Sequence, residues 1–118
     1  MKKHTIHAFA LAALLSAGST AAFAQYTGPS SIPQSTVKQL IDSGTDDQKA
    51  ILKGRIVSHD GKKHYTFEDS TGRMSVEISD KRMPAGQAFD DKRQVELTGE
   101  LDKDRNKVEF DVDSVRLL

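Results

Sequence analysis

The sequence of 118 residues contains no cysteine and no tryptophan. Without cysteine there is no disulfide, no thiolate nucleophile and no residue for a bacterial lipoprotein to acylate, so the fold must rest on an apolar core. Two tyrosines and five phenylalanines are the whole stock of aromatic rings, few for a surface on which nucleobases stack. Excess positive charge is missing too: 17 basic residues face 17 acidic ones. Such a chain is a poor generic binder of nucleic acid, whose affinity comes mainly from phosphate neutralisation. Beyond residue 24 no apolar run approaches the roughly 20 residues that span a bilayer.

The one compact apolar block lies at the start. Lys2 and Lys3 precede Ala8 to Ala17; Gly18, Ser19 and Thr20 break the run, and Ala22-Phe23-Ala24 places small residues two apart before Gln25. This is the order of a secretory signal peptide, a basic region, an apolar region and an A-x-A cleavage site. A retained membrane anchor is the alternative, and the block is short for it. Cleavage after Ala24 removes two lysines and no acid, leaving a mildly acidic periplasmic chain from Gln25 to Leu118 with no membrane span.

Residues 25–35 hold two prolines and no periodicity, and read as an extended arm. Thr36-Val37-Lys38-Gln39 fits a capping box, Val37, Leu40 and Ile41 make one apolar stripe, and Gly44 suits a left-handed helix end. A helix this short must pack on something. From Lys49 the period changes to two. Ala50, Leu52, Gly54 and Ile56 share a face; His59 to Lys62 is a turn. Tyr65 and Phe67 alternate with His64, Thr66 and Glu68, and Met74, Val76 and Ile78 with Ser75, Glu77 and Ser79. An irregular stretch, Asp80 to Lys92, follows. Val95, Leu97, Gly99 and Leu101 form the fourth strand, Asp102 to Asn106 a charged turn, and Val108, Phe110, Val112, Val115 and Leu117 the fifth.

Five half-apolar strands leave too much apolar surface for an open sheet, and closure buries it and removes the edges. The expected fold of residues 36–118 is all-β with one short N-terminal helix: a closed five-stranded barrel of the oligonucleotide/oligosaccharide-binding (OB) type. An SH3-like barrel is the alternative.

The chain also resembles the bacterial OB-fold family of periplasmic stress-tolerance proteins. The resemblance rests on the leader, Thr27-Gly28-Pro29-Ser30, Thr36-Val37-Lys38, Leu52-Lys53-Gly54-Arg55-Ile56-Val57 and Tyr65 to Gly72. Its strongest part is Gly99-Glu100-Leu101-Asp102-Lys103-Asp104 with Val108 to Val112. It implies export, a barrel lacking the usual helix between strands three and four, and a role in envelope stress. Members often carry tryptophans about where this chain has Lys49, Met83 and Arg105.

No catalytic constellation stands out. His59 and His64 are the histidines of the mature chain, with Asp60 or Glu68 as orienting partners. Asp102, Asp104 and Asn106 alternate like the start of a calcium loop, but Lys107 and Asp113 stand where glycine and a bidentate glutamate belong, so a β-turn with acidic ends is expected. A transition-metal site at His59 and His64 needs further ligands that the sequence does not name. No cofactor and no metal site are expected. In an OB barrel the binding surface lies over strands two and three. That places His64, Thr66, Glu68, Ser75 and Glu77 on the candidate face, rimmed by Lys62, Lys63, Arg73, Asp102, Lys103, Asp104 and Arg105. Acids there repel phosphate. A non-enzymatic binding module for a polar envelope ligand is therefore expected, either peptidoglycan or a cationic molecule. The alternatives are a module that engages an envelope protein and, as a minor one, an oligonucleotide binder. Intact mass of the protein recovered from the envelope should correspond to a chain beginning at Gln25; retention of Met1 to Ala24 would overturn cleavage.

Overall fold

The computed structural model describes residues 31–118; the leader and most of the arm lie outside them. Helix α1 is Val37–Ser43, followed by β1 (Lys49–Gly61), β2 (His64–Asp69), β3 (Gly72–Glu77), β4 (Val95–Asp104) and β5 (Lys107–Leu117). The strands close into a barrel in the order β1-β2-β3-β5-β4, with β4 returning to β1. All pairings are antiparallel except β3 with β5. The connection from β3 to β4 holds a single 3-10 turn, Asp80–Arg82, in place of an α-helix. No helix among the described residues is long and apolar enough to cross a membrane.

The alternation that marks the strands also fills the barrel. Leu52, Phe67, Val76, Ile78, Leu97, Leu101 and Phe110 are fully buried. β1 serves two neighbours: Lys49 to Gly54 pair with β4 and Arg55 to Gly61 with β2. The handover falls at Gly54, where a Cβ would sit 2.2 Å from the Glu68 carbonyl oxygen. Gly99 plays the same part on β4, against the carbonyl of Asp111. These are the close approaches that barrel coiling demands.

Four local expectations are corrected. β1 continues through His59 to Gly61, and the turn is Lys62–Lys63, with Lys62 at a positive φ of 48°. Val115 and Leu117 do not continue the alternation of Val108 to Val112: Thr98 faces Ser114 and Gly99 faces Val112, so Asp113 is a bulge that resets the parity. Gly44 is extended (φ −70°) rather than left-handed; glycine is needed there because a Cβ would meet Leu40 O at 2.5 Å and a Leu101 methyl at 2.6 Å. Ile41 remains 38% exposed, while Val37 and Leu40 carry the buried stripe.

A seven-residue helix is too short to stand alone, and the barrel completes both of its ends. Of the helix's first amides, Val37 N–H donates to Asp69 Oδ2 (2.9 Å), Lys38 N–H to Thr71 Oγ1 (3.0 Å) and Gln39 N–H to Thr36 Oγ1 (3.1 Å). The Gln39 side chain closes the capping box on Thr36 N–H. At the other end Lys103 Nζ donates to Ile41 O and Gly44 O. The preceding segment joins the sheet through the parallel bridge of Gln34 with Ile51.

Asp69 ties helix to hairpin: its Oδ1 also accepts from Thr71 N–H, Thr71 Oγ1 and Gly72 N–H. Burial pushes its carboxyl up, but the bonds from Thr71, Val37 and Gly72 outweigh that and hold it below the usual range. The resulting stabilisation is present above the unfolded carboxyl value, about 4, and is lost as pH falls through the lower folded value. Asp69→Ala should cost about 2 kcal/mol at pH 7, read by urea unfolding, and the difference should fade in acid. Equal stability at pH 7 would refute the tie.

Candidate binding face

Side chains that alternate away from the core stand on the outer face of β2, β3, β5 and β4, and strand register sorts them into rows. One row runs Thr66, Ser75, Glu109, Asp102. The next runs His64, Glu77, Asp111, Glu100 and reaches Lys49 on β1. Two adjacent rows thus carry five carboxylates.

Their neutralisation is uneven. Lys63 Nζ lies 3.3 Å from Glu77, Lys49 Nζ 3.0 Å from Glu100, and Lys107 Nζ 3.0 Å from Asp102 and 3.6 Å from Glu109. These lysines are about half exposed, at 53%, 58% and 49%, so each pair is weak and easily exchanged. Asp111 has no basic partner among the described residues, and Glu77 and Glu100 stand directly opposite it. Lost hydration, and after it the charges of Glu77, Asp113, Glu100 and Asp102, hold its carboxyl above the usual range. Glu109 is 7% exposed, the one buried charged side chain among the described residues. His64 Nδ1 approaches its Oε2 at 3.0 Å and Ser75 Oγ at 3.3 Å.

The other expected residues, and the Thr66 hydroxyl at the end of the first row, are engaged elsewhere. Glu68 is clamped by Arg55 and by Arg73 Nε at 2.9 Å, and the Arg73 bond in particular holds its carboxyl low. Thr66 donates to Asp60 Oδ2 at 2.7 Å, and Asp60 also accepts from Ser58. Lys103 is turned to the helix end. Asp104 accepts from Asn106 N–H, as a hairpin turn does, and Arg105 is exposed beside it. Lys62 sits in the β1–β2 turn, where its carbonyl meets His59 Nε2 at 2.7 Å.

The period-two pattern points Asp111, Glu100 and Glu109 outward but does not group them, because alternation predicts inward or outward and says nothing of lateral burial. Only the pairing of β3 with β5 brings Glu109 beside Ser75 and His64. A second surface feature was also unforeseen: a groove lined by Ile56, His59, Tyr65, Met83 and Phe89. His59 stacks on Tyr65 there with ring centroids 4.3 Å apart. Met83 lines this groove, and Lys49 ends the second acidic row.

Because Asp111 faces two acids, ionising it opposes folding. Its folded carboxyl value is raised, so stability is greatest below the unfolded value and falls as pH rises through the folded one. Asp111→Asn should therefore raise the melting temperature at pH 7 by about 2–4 °C, and the gain should vanish below the carboxyl range. A lower melting temperature at pH 7 would contradict the repulsion.

A family model described as "Bacterial OB fold (BOF) protein" matches residues 16–117. The calcium-regulated OB-fold protein CarO of Pseudomonas aeruginosa is 39% identical over 95 residues, spanning 80% of this chain and 81% of CarO. Protein YgiW of Escherichia coli is 41% identical over 71 residues, 60% of this chain and 54% of YgiW. The structure of the hypothetical protein ygiW from Escherichia coli superposes with a TM-score of 0.68 at 35% identity, covering 80% of this chain and 99% of that one. The S. pombe Stn1-Ten1 complex matches with a TM-score of 0.60 at 17% identity, covering 78% of this chain and 81% of that one, a likeness of fold alone.

Proposed function

The chain belongs to the bacterial OB-fold family, and from that premise we propose that it is an exported, non-enzymatic binding module whose β3–β5–β4 face receives a positively charged group of an envelope ligand. The observation that carries this reading is Asp111, which stands between Glu77 and Glu100 with no basic partner among the described residues. The carboxylates project from paired strands and are held in place. The lysines that offset them are flexible and half exposed, and a ligand cation can take their positions at little cost. A contribution to envelope stress tolerance, in the periplasm, is part of this proposal, supported by the signal-peptide pattern of residues 1–24 and by the family resemblance. The names of the relatives describe no enzyme, and the histidines serve other contacts: His59 stacks on Tyr65, and His64 meets Glu109.

Phosphate ligands are disfavoured on such a face. A protein partner is the second reading, favoured by the apolar groove over Tyr65, Met83 and Phe89.

Oligolysine should bind the purified protein saturably at low salt and more weakly at physiological salt. Glu77→Gln with Asp111→Asn should reduce that affinity at least ~5-fold with the fold intact. Single-stranded DNA should not bind. Co-sedimentation with insoluble peptidoglycan that survives salt and is indifferent to the double substitution would replace the cationic ligand with a glycan. Capture of an envelope protein through the groove, with no affinity for oligolysine, would favour the second reading.

A further inference from the structure

On the same face, and resting on the reading that this face receives positive charge, three side chains have a more specific arrangement. His64 opens β2, Glu77 ends β3 and Glu109 lies on β5. One ligand atom from each lies within 4.8 Å of the others, and His64 Nδ1 is 3.0 Å from Glu109 Oε2. Two ligand atoms about 2.1 Å from one zinc ion and at the tetrahedral angle are separated by about 3.4 Å, from ordinary metal–ligand lengths and geometry. The imidazole and the nearer carboxylate, 3.0 Å apart, therefore already stand close to a chelating separation, and a Glu77 oxygen lies within 4.8 Å of both.

We infer that His64, Glu77 and Glu109 form a divalent transition-metal site, for zinc or an ion of similar preference. Two features separate this trio from an ordinary acidic surface. The first is the imidazole. Calcium and magnesium take oxygen ligands, whereas nitrogen with carboxylates suits zinc and its neighbours. The second is Glu109 itself, a carboxylate 7% exposed and aimed into the cluster. A buried charge requires compensation, and here it has only an imidazole, a serine hydroxyl and a lysine at 3.6 Å. A divalent ion would balance both carboxylates.

Ser75 has the role expected of an outer partner. Its hydroxyl donates to Glu109 Oε2 and orients that ligand. Lys63 lies 3.3 Å from Glu77 Oε2 and Lys107 3.6 Å from Glu109 Oε1, and both swing aside when the ion enters. The scaffold is rigid, because the ligands come from three adjacent strands whose register is set by barrel pairing: His64 opposite Glu77, and Ser75 opposite Glu109. Three protein ligands leave at least one coordination position open to solvent. That position could take water or a donor group of an envelope ligand.

The test is titration of the tag-free protein, stripped with a chelator, with zinc chloride and separately with calcium chloride. Calorimetry and thermal melting are the readouts. The expected result is one zinc per chain, a higher melting temperature on saturation, and no saturable calcium binding. His64→Ala and Glu109→Gln should each weaken zinc at least ~10-fold. His59→Ala, which removes the ring stacked on Tyr65, should leave zinc affinity unchanged. Absence of saturable zinc binding would overturn the inference, as would wild-type affinity in folded His64→Ala. Because His64 is half exposed, that variant keeps the fold even if Glu109→Gln does not. Parallel titration with oligolysine separates the two readings. Oligolysine binding without zinc binding removes the metal site alone; failure of both removes the cationic reading of the face.

Discussion

Three register pairs between β3 and β5, Ser75 with Glu109, Val76 with Phe110 and Glu77 with Asp111, are the constraint on which the rest of the molecule depends. Every other pairing joins strands by antiparallel ladders; this short parallel one joins the β1–β2–β3 meander to the β4–β5 hairpin and closes the barrel. Inward, it puts Val76 beside Phe110 at full burial. Outward, it sets one acid-bearing strand against another. The core and the charged face are two sides of a single pairing, so a one-residue slip there would expose Phe110 and disperse the carboxylates together.

Closure also explains where local chemistry is spent. Gly54 and Gly99 lie where backbones of neighbouring strands approach too closely for a Cβ. The bulge at Asp113 lets β5 bend and still bury Val115. The helix covers the barrel next to the β2–β3 turn, held by Asp69 and Thr71 at its start and Lys103 at its end. A helix with so little intrinsic stability is ordered because its unpaired backbone groups find partners on the barrel. Asp69 and Lys103 thus serve the fold, although both belong to segments that carry the family resemblance.

The face left over is defined by an imbalance between rigid and mobile charge. Carboxylates on β3, β4 and β5 cannot move apart, whereas Lys49, Lys63 and Lys107 reach them on flexible stems. With Asp111 left without a basic partner among the described residues, such a surface suits the cationic ligand proposed for it. Lys49 stands at the end of the second acidic row and Met83 along the groove, so neither position adds a stacking ring to the face.

Alternation of apolar and polar residues determined the number of strands, their inward faces and the need for closure, because period-two burial is a local property of each segment. The capping box of Thr36 and Gln39 was legible for the same reason; a turn between the fourth and fifth strands was too, but it is confined to Arg105–Asn106, and Asp102 to Asp104, expected in the turn, belong to β4. Strand ends, the Asp113 bulge and the extended backbone at Gly44 were not, since each is set by a neighbour distant in sequence. The candidate face was visible in part: His64, Thr66, Glu68, Ser75 and Glu77 do point outward, as their positions require. Which of them act together was decided only by the tertiary structure. Arg55 and Arg73 withdraw Glu68 into an ion pair, while the β3–β5 pairing carries Glu109 across 45 residues of sequence to the side of His64. The physical reason is that a strand's pattern fixes the direction of a side chain, and only the closed sheet fixes its lateral company.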